Sequence, residues 1–111
     1  VQFYKGKPIL YSTGNFTFGT MSRVDPDTGI FQLHLSRNSE GKVTLDRFSV
    51  VPCRTQSGPD FRPMLLTEEK DRRTMLRKLV WNRNFKDVTP LPDSFIDTGY
   101  VDIVDGQLVT E

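Results

Sequence analysis

Apolar and polar residues alternate most regularly over residues 30–36, where Phe31, Leu33 and Leu35 share one parity and Gln32, His34 and Ser36 the other. Successive strand side chains point to opposite faces, so a period of two predicts a strand with one wet face. Asn38-Ser39-Glu40-Gly41-Lys42 follows as a hairpin loop, and residues 43–53 predict the returning strand. Within it Val43 and Leu45 share a face, but Phe48 and Val50 fall on the opposite parity. A bulge near Asp46-Arg47 reconciles the two halves; a strand end buried on both sides is the alternative. Phe31, Leu33, Leu35, Val43 and Leu45 are the expected core of this hairpin.

Upstream, residues 1–4 and Ile9-Leu10-Tyr11 are β-prone runs around Lys5-Gly6-Lys7-Pro8, which predicts a first hairpin with its turn at those four residues. A polar break at 12–15 precedes the aromatics Phe16 and Phe18, and Asp25-Pro26-Asp27-Thr28-Gly29 is a strong turn signal. Residues 56–63 form a loop rich in Gly, Pro and polar side chains. Downstream, Met75, Leu76, Leu79 and Val80 make one apolar helical stripe. Thr67 is positioned to cap that helix, Glu68 and Glu69 suit its positive end, and its end is expected near Arg83-Asn84. Residues 85–97, with Pro90 and Pro92, predict an extended connector. Asp105-Gly106 between apolar runs predicts a last, compact hairpin. The fold class is therefore α+β: a mostly antiparallel β-sheet with one amphipathic helix in the C-terminal half.

Composition adds limits. The 111 residues suffice for one core, and 36% hydrophobic with 26% charged residues is a globular balance rather than a disordered one. A net charge of +1 points to neither nucleic acid nor an acidic surface as partner. No apolar run is long enough to span a bilayer, so no membrane segment is expected in this stretch. The first residue is not Met and the opening already has strand character, which suggests a piece of a longer chain.

The inventory for chemistry is short. His34 is the single histidine and Cys53 the single cysteine, too few for a His-rich or Cys-based zinc site or an intramolecular disulfide. A Ser-His-Asp triad would need His34 as base, yet it falls mid-strand on the polar face. Cys53 follows Val50-Val51-Pro52 and reads as a structural thiol. Asp25 with Asp27, and Asp102 with Asp105, suit ordinary turns better than cation sites. Arg72, Arg73, Arg77 and Lys78 beside Trp81 superficially suggest a nucleic-acid helix, but Glu68, Glu69 and Asp71 balance them and a solvated face is the better reading. Gly14-Asn15-Phe16 is less ordinary: at a strand end Gly14 admits close backbone approach and Asn15 can donate or accept, although a self-bonded turn accounts for the pattern too.

The segment Phe3-Tyr4-Lys5-Gly6-Lys7-Pro8-Ile9-Leu10-Tyr11-Ser12-Thr13-Gly14-Asn15-Phe16 resembles a segment of bacterial capsule-synthesis proteins of the CapA type. The resemblance continues through the hairpin at 31–51 and through Phe61-Arg62-Pro63 with Leu65-Leu66-Thr67-Glu68-Glu69. It spans residues 1–83, as the C-terminal part of a CapA-like domain, and leaves 84–111 as an extension with a hairpin. That family is linked to poly-γ-glutamate capsule biosynthesis at the cell envelope and is similar to calcineurin-like metallophosphoesterases, so the resemblance implies a fragment of a metallophosphatase-like β-sandwich.

It also implies that the divalent-metal ligands of the full-length protein come from upstream motifs, with no metal and no catalytic residue in this fragment. Gly14-Asn15 is followed by Phe16 and not by His, so it is not equated with the phosphoesterase Gly-Asn-His motif. What the resemblance carries over is position: Gly14, Asn15 and Phe16 beside the family's cleft, as candidates to meet substrate. The implied partner is the remainder of the parent chain. The alternative is a non-catalytic interaction domain that docks to capsule-assembly proteins or pairs with itself.

Overall fold

The computed structural model describes residues 1–12, 26–55, 62–80 and 87–110. Strands β1 (Gln2–Tyr4) and β2 (Lys7–Ile9) form the first hairpin. Its turn is tighter than the sequence pattern predicts. Only Lys5 (φ 51°) and Gly6 (φ 75°) turn the chain, both left-handed as a two-residue hairpin loop requires. Lys7 and Pro8 already pair with Tyr4 and Phe3. Pro8 fits because β2 lies at the sheet edge, where a missing N–H costs no ladder bond.

Next come β3 (Asp27–Arg37) and β4 (Val43–Arg54), the expected long hairpin. Its register slips between His34 and Leu35: His34 faces Arg47 and Leu35 faces Leu45, which leaves Asp46 as the extra residue. The bulge thus sits where the parity change predicted it, and it brings Leu45 and Phe48 onto one face. Strand β5 (Met64–Leu65) pairs with the end of β4. Helix α1 (Glu69–Arg77) follows.

The helix is shorter at both ends than expected. Leu66 N–H donates to the Pro52 carbonyl, holding the chain extended beside β4, so Thr67 stays outside the helix. The N-cap position falls on Glu68, which makes no side-chain capping bond. At the other end Lys78, Leu79 and Val80 donate to carbonyls three residues back, and this tightening closes the α-helix at Arg77.

Residues 88–98 are not the extended connector that the two prolines suggest. Strand β6 (Val88–Pro90) pairs with β1, and helix α2 (Phe95–Thr98) follows. Pro90 ends a strand at the sheet edge, and Pro92 sits before α2, its carbonyl accepting Phe95 N–H. Both are positions where proline costs nothing. Strands β7 (Tyr100–Val104) and β8 (Gln107–Leu108) make the expected last hairpin around Asp105-Gly106. The architecture is mostly antiparallel β with two short helices: a sheet ordered β2-β1-β6 and a second ordered β3-β4-β7-β8, with β5 beside β4.

The core centres on Phe48, fully buried. Phe3 meets its ring edge-on at 5.7 Å, and Phe31 and Phe95 stack at 6.2 Å each. Val50, Met75, Leu76, Leu91, Val101 and Ile103 complete the cluster, so residues 88–108 share one core with the first eighty. Of the core expected from alternation, only Phe31 and Leu45 pack against this cluster. Leu33, Leu35 and Val43 are 53%, 60% and 50% exposed. Burial rises along β4 from Val43 to Cys53, because the partners of the hairpin's apolar face sit at its open end, and its tip runs past them.

Candidate functional site

Gly14, Asn15 and Phe16 lie outside the described residues. The element that leads into them is well anchored. Gln2 is fully buried, and Tyr11 Oη donates to its Oε1 at 2.6 Å. This bond ties the chain leaving β2 to the buried start of β1, three residues before Gly14 in the sequence.

A second polar array lies on the outer face of β3, β4 and β7. Cross-strand register sets Gln32 and Tyr100 on either side of Ser49, and His34 and Asp102 on either side of Arg47. Arg47 Nε donates to Asp102 Oδ1 at 2.6 Å and Nη2 to Oδ2 at 3.3 Å, a two-pronged pair. Its guanidinium also covers the Tyr100 ring, 3.9 Å from the centroid. The bond to Arg47 holds the Asp102 carboxyl below the usual range, and the same bond raises Arg47. Strand parity in the sequence puts these residues on polar faces. The β4–β7 pairing that joins them is long-range and has no local signal.

His34 Nε2 lies 2.8 Å from Ser49 Oγ, and Ser49 Oγ donates to Gln32 Oε1 at 3.0 Å. The Ser49 hydroxyl thus bridges the His34 ring and the Gln32 amide. Asp102 is held by Arg47 and does not orient His34. Serine, histidine and aspartate therefore stand close together without the relay that acyl transfer needs.

The other sequence candidates are engaged as well. Asp27, whose side chain is only 6% exposed, receives Arg54 Nε at 3.3 Å and Lys78 Nζ at 2.6 Å. It ties the start of β3 to the end of β4 and to the residue after α1; Asp25 lies outside the described residues. Cys53 is buried, contacts the Val51 carbonyl at 3.4 Å, and its thiol pKa is raised by burial, which makes it unreactive. On α1, Arg72 pairs with Glu69 and Arg73 with Asp97. Lys78 pairs with Asp27, so three of the four bases singled out in the sequence take part in ion pairs.

Among the described residues no group of three or more His, Cys, Asp or Glu side chains comes together. A groove of about 860 Å³ between the two hairpin turns and the start of β4 mixes Lys5, Lys7 and Lys42 with Asp46, Asp102 and Asp105, so it focuses neither sign of charge. Among the described residues no helix is long and apolar enough to cross a membrane. No family model, curated protein or solved structure matches the chain.

Proposed function

We propose that this chain is the C-terminal segment of a CapA-like, metallophosphatase-like protein of poly-γ-glutamate capsule biosynthesis at the bacterial cell envelope. In that protein it forms part of the cleft wall and presents Gly14, Asn15 and Phe16 to substrate. The metal and its ligands belong to other parts of the parent chain, and the segment is not catalytic alone. The observation that carries the reading is the resemblance of residues 3–16 to the CapA-type segment, and the anchored first hairpin is compatible with it. Tyr11 bonded to the buried Gln2 fixes where the chain leaves β2, just ahead of the three cleft candidates. The engagement of Asp27, Asp102 and His34 by neighbouring side chains supports the non-catalytic half of the reading.

The test has two parts. Calorimetric titration of the 111-residue chain with manganese or zinc should show no tight binding. In the full-length protein, Asn15→Ala should lower phosphoester turnover while leaving the thermal midpoint in place. A tight metal site on the isolated chain, or parallel loss of turnover and stability in the variant, overturns the proposal.

A further inference from the structure

The sheet edges of this chain are guarded unequally. β2 and β6 span three residues each and carry Pro8 and Pro90, while β5 and β8 span two. β3 spans eleven, contains no proline and no lysine, and among the described residues pairs with β4 alone. It also exposes Ile30 (42%), Leu33 (53%) and Leu35 (60%). A long strand whose outer edge pairs with no other strand among the described residues is a template for another strand, and proteins block such edges unless they are used.

We propose that β3 pairs antiparallel with β3 of a second copy, about a two-fold axis at Leu33, to make one sheet across a dimer. The strand is complementary to itself in this register. Leu33 faces Leu33 of the second copy, and Phe31 faces Leu35, so apolar meets apolar. On the other face Gln32 meets His34, a donor–acceptor pair. Arg37 falls opposite Gly29, so no like charges oppose each other. Moving the axis one residue to Gln32 sets Leu35 against Gly29, and moving it to His34 sets Phe31 against Arg37. A two-fold contact of this kind uses the same patch on both copies and closes without further growth. The inference goes beyond the proposed function and does not depend on which protein the chain belongs to.

Sedimentation velocity of the 111-residue chain over a concentration series tests it. The expected result is a dimer that dissociates on dilution. Leu33→Lys places two ammonium groups on the axis at an exposed position, and should give a monomer throughout with an unchanged far-ultraviolet circular dichroism spectrum. Register is read separately by mixing chains carrying Gln32→Cys with chains carrying His34→Cys. Mild oxidation should give a disulfide-linked mixed dimer, while Ser36→Cys chains alone should not cross-link. Monomer at every concentration, which would leave the edge idle or for another polypeptide, overturns the proposal. So does a dimer that survives Leu33→Lys. Absence of the mixed disulfide also overturns it, since packing through the apolar faces would keep residues 32 and 34 apart.

Discussion

A Cβ placed on Gly6 would fall 2.5 Å from the carbonyl oxygen of Gly106, so the turns of the first and last hairpins meet backbone to backbone. The contact joins β1–β2 to β7–β8, elements a hundred residues apart in the chain. Gly6 is also left-handed, at φ 75°. Gly6→Ala should therefore cost about 2–4 kcal/mol, the sum of left-handed strain and a clash that only backbone movement relieves. Gly106 has a similar φ of 74° but open space around a built Cβ. Gly106→Ala should cost only about 1 kcal/mol. Urea denaturation of both variants isolates the contact, and equal losses would mean that the turns do not touch.

Phe48 touches three other phenylalanine rings and has no exposed surface. Phe48→Ala should cost about 3–5 kcal/mol, enough to unfold a domain of this size in part at room temperature. Leu35→Ala, at a residue 60% exposed, should change monomer stability by no more than about 0.5 kcal/mol. Alternation alone places Leu35 in the core as well, and the structure reverses that placement. Denaturation midpoints at a concentration low enough to hold the monomer decide between the two placements of Leu35.

That reversal marks what a sequence pattern carries. Period two identified β3, the turn chemistry of Gly41 and Asp105-Gly106 placed two hairpins, and the parity break at Asp46-Arg47 located the bulge, while β5 and β6 went unread. All of these are local. Which end of β3–β4 is covered depends on Phe3, Met75, Leu91 and Phe95, which arrive from distant parts of the chain. Pro90 and Pro92 misled for the same reason: proline disfavours a central strand, but an edge strand is identified only once its neighbour is known. In the outer array Arg47, Asp102 and Tyr100 each carried an unremarkable surface signature, and only the β4–β7 register brings them together. Gly14, Asn15 and Phe16 remain a sequence proposal.

Asp27, Thr28 and Gly29 pair with Arg54, Cys53 and Pro52 as the first residues of β3 rather than forming the turn their sequence suggests, and Asp27 offers a direct check on what holds that strand start. Its nearly buried carboxylate takes charged hydrogen bonds from Arg54 and Lys78. Asp27→Asn keeps the shape but removes the charge, and should lower stability by about 1–3 kcal/mol. The cost stays moderate because both cations are themselves more than two-fifths exposed and regain water. Thermal unfolding with and without added calcium measures it. A cation-dependent midpoint in the parent chain, lost in the variant, would instead make Asp27 a metal ligand.

The Arg47–Asp102 pair sets a pH signature. Asp102 is depressed in the folded chain, mainly by the bond from Arg47, so the folded form binds a proton less readily than the unfolded form. Its stabilisation is thus complete above the ordinary aspartate range and is lost as pH falls through the lower, folded value. Asp102→Asn should remove this component, so that the variant and parent chains converge in stability at strongly acidic pH and separate as pH rises toward neutral. The separation should be small and should shrink in high salt, because both side chains are about two-fifths exposed, at 40% and 41%. Stacking of the guanidinium on Tyr100 survives loss of the charge on Asp102, so Tyr100→Leu should lower stability at all pH values without changing the acid slope. Urea denaturation across the acidic range reads both variants. A constant offset for Asp102→Asn would mean that the pair contributes through packing and not through its charge.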